Sequence, residues 1–355
     1  MKNVLMASSA IVGAAVLVAS PAAAQELKLS AFQQFMASGG DSDRDTSDRG
    51  FAFATNTEVH VNGSIMADNG ITFGFRVEFE ADAGASNNVD ENSIWASGSF
   101  GKIEFGNNDG VEDTFMVNGS NSGVDYGGVG NPTSNFLSTA YISGTRTSVD
   151  LRDTADATKI TYTTPNFSGF SAGISYTPNT GHDGVGNSFN NASLQDDYHD
   201  HIGLGLGYEA DFNGVGLELG MVGSWAKADE EPEDDAFGIG GGMAISFAGF
   251  TFAAGAIWED LDDGGPSIAT GETWAVDAGI GYATGPWAFS VNGIYSKVED
   301  TDIDLLGGSA NVGYNLAPGV TVFLTGFVGT QDEPNGSTAG DNDIVAVTSG
   351  LKVSF

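Results

Sequence analysis

Asp343-Ile344-Val345-Ala346-Val347-Thr348-Ser349-Gly350-Leu351-Lys352-Val353-Ser354-Phe355 ends the chain. Val345, Val347, Leu351, Val353 and Phe355 share one parity, while Ala346, Thr348, Gly350, Lys352 and Ser354 share the other. Side chains of a strand point alternately to its two faces, so this run predicts a strand with one apolar face and one polar or small face. The pattern recurs at Ile71, Phe73, Phe75, Val77 and Phe79, set against Thr72, Gly74, Arg76, Glu78 and Glu80. It recurs again at Trp274, Val276, Ala278, Ile280 and Tyr282, and at Trp287, Phe289, Val291, Gly293 and Tyr295.

A β-sandwich and a membrane barrel both alternate in this way. Three details favour the barrel. Aromatic residues stand at the ends of the apolar runs, where interfacial girdles sit. The opposite parity is Gly, Ser, Thr, Asn and charge, which suits a wet interior. Connections also alternate between short and long. The short ones are Asp68-Asn69-Gly70, Ser99-Phe100-Gly101, Pro165 to Gly169, Asp211 to Gly214, Ala248-Gly249, Thr284-Gly285-Pro286 and Ala317-Pro318-Gly319. Asn-Gly and Pro-Gly are hairpin and turn chemistry. The long ones fall near 39–50, 83–90, 107–157, 179–199, 228–235, 260–271, 298–303 and 332–342.

Seven short and eight long connections join sixteen strands. These are expected at 27–38, 51–67, 71–82, 91–99, 101–107, 158–164, 169–178, 200–210, 214–227, 236–248, 250–259, 272–284, 286–297, 304–316, 319–331 and 343–355. The expected fold is therefore all-β: a transmembrane antiparallel 16-stranded β-barrel with both termini on the short-turn, periplasmic side. Hydrocarbon offers no partner to backbone N–H and C=O groups, so the first and last strands must pair. At this strand number the interior is too wide for side chains alone to fill, and an aqueous channel results.

The first residues carry Lys2, an apolar stretch from Val4 to about Val18, and Ala22-Ala23-Ala24 after Ser20-Pro21. Residues 1–24 read as a secretory signal cleaved before Gln25, leaving 25–355 as the barrel. No later stretch has the roughly 20 apolar residues of a membrane helix. The 355-residue chain has no cysteine, which excludes a disulfide framework and a thiolate metal site. Its formal net charge is −35, and losing Lys2 with the leader makes it one unit more negative. Such a balance argues against nucleic acid, whose binders neutralise phosphates with basic surface. The acids cluster in the long connections, the usual mark of solvated loops. Twenty-three Phe and the regular alternation exclude a disordered acidic chain.

Two stretches resemble a known family. Ser93-Ile94-Trp95-Ala96-Ser97-Gly98-Ser99-Phe100-Gly101-Lys102-Ile103-Glu104-Phe105-Gly106 is similar to the strand–Gly-x-Phe-Gly–strand hairpin before the third loop of Gram-negative general-diffusion porins. Ile160-Thr161-Tyr162-Thr163-Thr164-Pro165-Asn166-Phe167-Ser168-Gly169-Phe170 is similar to the family's segment after that loop. The nearest resemblance is to the trimeric porins of Rhodobacter-like α-proteobacteria. It covers the mature chain in plan and is sharp over about 93–176. One departure is Thr161, where the family has Arg; Lys159, of the same parity, stands in its vicinity.

The resemblance implies an outer-membrane homotrimer in contact with the lipid bilayer and lipopolysaccharide. It implies that Phe355 is read by the barrel-assembly machinery, and that the third loop, 107–157, folds into the lumen as a constriction. That loop is by far the longest connection, and such loops are usually functional. Its first part carries Asp109, Glu112, Asp113 and Asp125, expected as the acidic side of an eyelet. Lumen-parity bases are Lys28, Arg76, Lys102, Lys159 and Lys352, with His60 of the same parity. They lie on one arc once the ends pair, and predict a basic wall. Opposed charges across a narrow, low-dielectric pore set up a transverse field that favours polar solutes. The other reading is ordinary wall salt bridges, Arg76 with Glu78 or Glu80 and Lys102 with Glu104. Arg146 and Arg152, late in the loop, are weaker pore candidates.

Asp41-x-Asp43-x-Asp45 has a calcium-like spacing but lacks the later Gly and Glu of an EF-type loop. Ca2+ loosely held by the acidic loops is the one cofactor expectation, and none is required. His60, His182, His199 and His201 are the histidines; His199-Asp200-His201 has no evident third ligand. No Gly-x-Ser-x-Gly elbow occurs, and no enzyme is expected. The expected function is passive diffusion of small hydrophilic solutes and ions. The alternatives are a substrate-specific channel, or a structural or adhesive barrel without an open pore.

Overall fold

The computed structural model describes residues 25–43, 50–81, 89–123, 146–151, 154–179, 198–228, 234–261, 271–299, 301–333 and 340–355. The leader 1–24, Asp45, Asp125, Arg152 and His182 lie outside the described residues.

Sixteen strands follow one another as β1 (Gln25–Ser42), β2 (Phe51–Met66), β3 (Thr72–Glu80), β4 (Val89–Gly98), β5 (Gly101–Asn107), β6 (Thr158–Thr163), β7 (Phe170–Asn179), β8 (Tyr198–Asp211), β9 (Val215–Ala228), β10 (Ala236–Phe247), β11 (Phe250–Leu261), β12 (Gly271–Thr284), β13 (Trp287–Val298), β14 (Ile303–Ala317), β15 (Val320–Asp332) and β16 (Asn342–Ser354). Each pairs antiparallel with its chain neighbour, and β1 pairs with β16, so the sheet closes. The closing seam runs from Phe32↔Ser354 to Ser42↔Ile344. Every residue of β1 from Phe32 to Ser42 has a partner on β16, which closes the edge as a hydrocarbon setting demands.

One strand end differs from the sequence expectation by more than two residues. β1 runs on through Gly39, Gly40 and Asp41 to Ser42. Those residues look like loop by composition, but β16 pairs along them and Gly40 N–H donates to Gly50 O at 3.0 Å. Tertiary pairing on both sides overrides weak local propensity here.

The β8–β9 turn shows how the short connections form. Asn213 and Gly214 have φ of 57° and 89°, and Phe212 and Val215 exchange backbone hydrogen bonds. Two successive positive φ values are the signature of a type I′ hairpin, which Asn-Gly favours.

The apolar parity faces outward: Val345, Val347 and Leu351 are 49%, 49% and 40% exposed, whereas Thr348 between them is fully buried. Aromatic pairs ring this outer face at two levels. Phe170–Tyr208, Phe250–Tyr282 and Trp287–Tyr314 sit beside the short turns, with ring centroids 4.4, 4.4 and 4.5 Å apart. Phe237–Trp258 and Trp274–Tyr295 sit beside the long connections. Along β13, Trp287 and Tyr295 are eight residues apart. That is roughly 27 Å along the strand, or about 21 Å at a tilt near 40°, close to the ~25 Å apolar band of membrane barrels. Polar residues of the inner parity bond to one another: Ser38 and Thr348 share a hydrogen bond at 2.6 Å, and Thr325 donates to Asn311 at 2.7 Å.

Candidate functional site

After β5 the chain turns through a short helix, α1 (Val111–Thr114), and a 3-10 turn at Gly119–Ser122. Both dock on β7–β13 through inward-parity residues. Ser175 of β7 donates to Glu112 at 2.8 Å. Gly119 N–H donates to Asp277 Oδ1 of β12 at 2.8 Å, and Gly255 N–H donates to the same oxygen at 3.0 Å. Ser122 donates to Asn292 of β13 at 2.8 Å. The later part of the segment joins the earlier: Asn118 Nδ2 donates to Asp150 Oδ1 at 2.7 Å. Ser296 of β13 donates to Arg146 O at 2.7 Å, while Arg146 pairs with Glu259 of β11.

The wall beneath is shaped for this segment. A Cβ on Gly255 would lie 2.9 Å from both Val117 O and Asn118 Cα, and one on Gly220 would collide with Phe115 O. Glycines of the inner parity thus let the two backbones approach. Between them lies a small apolar core of Val111, Phe115, Met116, Val149 and Leu151 from the segment, and Val222, Ile257, Ala275 and Ile294 from the wall.

The bases expected as a basic wall carry partners, as in the salt-bridge reading of Arg76 with Glu78 and Lys102 with Glu104. Arg76 pairs with Glu78 and reaches Glu91 at 3.5 Å. Lys102 pairs with Glu104 at 2.5 Å, and Glu104 also accepts from Ser93 at 2.6 Å. Lys28 pairs with Glu26 at 3.0 Å. His60 lies 2.9 Å from Glu58 and 3.4 Å from Glu78. Lys352 sits 4.0 Å over the Phe32 ring, with no carboxylate within 4.0 Å of it among the described residues. Glu80 faces inward on β3, directly across from Glu58. This arc is an interleaved ion-pair network, not a positive wall.

Three site expectations change. Lys159 is 2% exposed, and its ammonium donates to Asn108 O and Ala155 O. It fastens the two ends of the long segment, since a buried ammonium requires acceptors. Glu112 is 1% exposed and faces Ser175 and His201, not the opening. Arg146 turns to the β11 wall. Asp109 and Asp113 are exposed. Sequence reading missed Glu259, Asp277 and Glu91. Each is a carboxylate of polar parity inside a strand, and the glycines near Asp277 were the signal that something docks there. Glu91, Asp109 and Asp156 offer oxygens within 4.8 Å of one another at the base of the segment.

A family model described as Gram-negative porin matches residues 7–335. The chain belongs to the Gram-negative porin family. This porin therefore resides in the outer membrane and belongs to a family of channels, not enzymes. Its outer face meets lipid, with lipopolysaccharide around the outer rim. Among solved structures, a porin refined at 1.8 Å resolution is 19% identical, covers 93% of this chain and 100% of its own, and gives a TM-score of 0.60. A mutant of Rh. blastica porin is 17% identical over 93% of this chain and 100% of its own, at a TM-score of 0.56. The in-vitro folded OmpT of Vibrio cholerae, in trimer form, is 13% identical over 93% and 99%, at 0.60. These likenesses are of fold. No curated protein sequence matches the chain.

Proposed function

We propose that this porin is a passive, water-filled channel for small hydrophilic solutes and ions, narrowed by segment 107–157 folded into the lumen. The observation that carries this is the bonding of α1 and the 3-10 turn to inward residues Ser175, Asp277 and Asn292 on β7, β12 and β13. β2 lies eight strands from β10 in the closed order, so the arc around it stands opposite the docked residues. Asp109 and Asp113 border the opening from the segment; Arg76, Lys102 and Lys352 border it from the far arc, with His60, Glu78, Glu80 and Glu104 among them. Small bore and lined charge then set selectivity.

Liposome swelling with sugars of graded size tests the channel directly. Swelling that stops above a size limit supports general diffusion; swelling with one solute alone supports a specific channel. No swelling with any solute from correctly inserted barrels means a structural barrel.

A homotrimer is part of the proposal. The fold likeness to a trimeric outer-membrane protein supports it, and the mass of the unheated detergent complex tests it. Residues 1–24 are proposed as a cleaved signal on their basic start at Lys2, apolar stretch and Ala22-Ala23-Ala24 site; N-terminal sequencing of the outer-membrane form tests that. Ca2+ is proposed at the acidic outer loops, where a chelator should lower the melting temperature.

A further inference from the structure

Glu58 and His60 stand two residues apart on β2, so both side chains share its inner face. Across the ladder, His60 is in register with Glu78, and Glu58 with Glu80. One imidazole and three carboxylates thus form a square on the inner wall. His60 Nε2 is 2.9 Å from Glu58, and His60 Nδ1 is 3.4 Å from Glu78. One ring nitrogen and one oxygen from each of Glu58 and Glu78 all lie within 4.8 Å of one another.

A neutral imidazole carries one N–H. With a carboxylate at each nitrogen, a neutral ring turns one lone pair toward negative charge, and either a second ring proton or a cation between the groups relieves this. Carboxylates side by side in a ladder also repel. Arg76 is divided between Glu78 and Glu91, and Lys352 lies over Phe32, whose ring meets His60 edge-on at 6.5 Å. The side chains of Glu58, His60 and Glu78 are 19%, 21% and 7% exposed, shielded yet reachable from the lumen.

We infer that Glu58, His60 and Glu78 form a binding site for a borderline divalent transition-metal cation of the Zn2+ type, with Glu80 at the fourth corner. The donor set decides the class. Zn2+ takes imidazole nitrogen and carboxylate oxygen at about 2.0–2.2 Å, which spaces tetrahedral ligand atoms by roughly 3.4 Å. Ca2+ and Mg2+ take oxygen ligands and gain little from His60. Arg76 keeps Glu91 as partner when Glu78 turns to the ion. A bound ion adds positive charge to the arc opposite the docked segment, and so lowers cation current through the opening.

The binding measurement stands apart from the channel reading, because a non-conducting barrel would still bind. Detergent-purified protein is titrated with ZnCl2 by calorimetry, and with Cu2+ as a spectroscopic stand-in by electron paramagnetic resonance. The expected result is Cu2+ with nitrogen coupling and Zn2+ affinity weakened about tenfold or more in His60→Gln, since loss of even an outer partner of a ligand costs that much. Glu58→Gln, a near-isosteric change, is expected to weaken Zn2+ as well and serves if His60→Gln does not fold. Zinc affinity unchanged in the folded variants, or displaced equally by Ca2+, overturns the site. In bilayers, Zn2+ should lower the current of the wild type and not that of His60→Gln.

Discussion

Glu112 is a carboxylate almost wholly out of water, held by Ser175 and facing His201. Removing one side of a buried hydrogen-bonded pair leaves the other unsatisfied, a loss of roughly 1–3 kcal/mol. Glu112→Ala should therefore lower the urea midpoint of the folded barrel and give a noisier, wider conductance as α1 loosens. An unchanged midpoint and a quiet channel would show that α1 is held by its apolar contacts alone. Arg76 poses the reverse case, being the cation shared by Glu78 and Glu91. Arg76→Glu should move the reversal potential in a KCl gradient toward greater cation preference; no movement would place Arg76 away from the ion path. The parity of Arg76 and Lys159 was readable from the alternation, because a strand has only two faces. What each one touches was not. Lys159 has the parity of a pore lysine, yet it binds carbonyls that only the return of the long segment brings near.

Strands were legible because period, turn chemistry and loop length agree with one another. Where the structure departs from local propensity, the turn itself carries strain. Ala248 has φ of 51° beside Gly249 at 88°, in a two-residue hairpin. A side chain other than Gly, Asn or Asp in that region costs about 1–2 kcal/mol. Ala248→Asn should raise stability by up to about 1 kcal/mol, read as a higher urea midpoint, with conductance unaltered. The bed of the docked segment was less legible. Glycine reads as part of the small, polar parity of a wet interior, but Gly255 and Gly220 make room for a second backbone. Val222, Ile257 and Ile294 break the rule of a polar inner parity, and they are where Phe115 and Leu151 pack. An apolar residue on the wet face of a barrel strand was the available signal. Gly255→Ala should push Asn118 from the wall and disturb single-channel current; smooth, wild-type openings would mean that the segment is not seated on β11.

At the scale of the molecule, charge and closure act together. The sheet leaves no open edge, the outer face is apolar between two aromatic levels, and the acids are left to the interior and the loops. The far arc carries more carboxylates than bases, and Asp109 and Asp113 are exposed on the segment, so the opening should prefer cations. That preference should weaken with added salt, because screening shortens to about 3 Å at 1 M. The central claim is narrower: an open channel whose bore is set by a segment resting on β12 and β13. The chain has no cysteine of its own, so a single introduced pair reports cleanly. Ser122 and Asn292 are joined by a 2.8 Å hydrogen bond and can be replaced as Ser122→Cys with Asn292→Cys. Single-channel conductance of that variant in a planar bilayer, before and after oxidation, is the most direct measurement. The account predicts a steady open channel, ready cross-linking and nearly the same current in both states. A closed barrel, a pair that will not cross-link in the folded protein, or a current that changes severalfold on oxidation would contradict it.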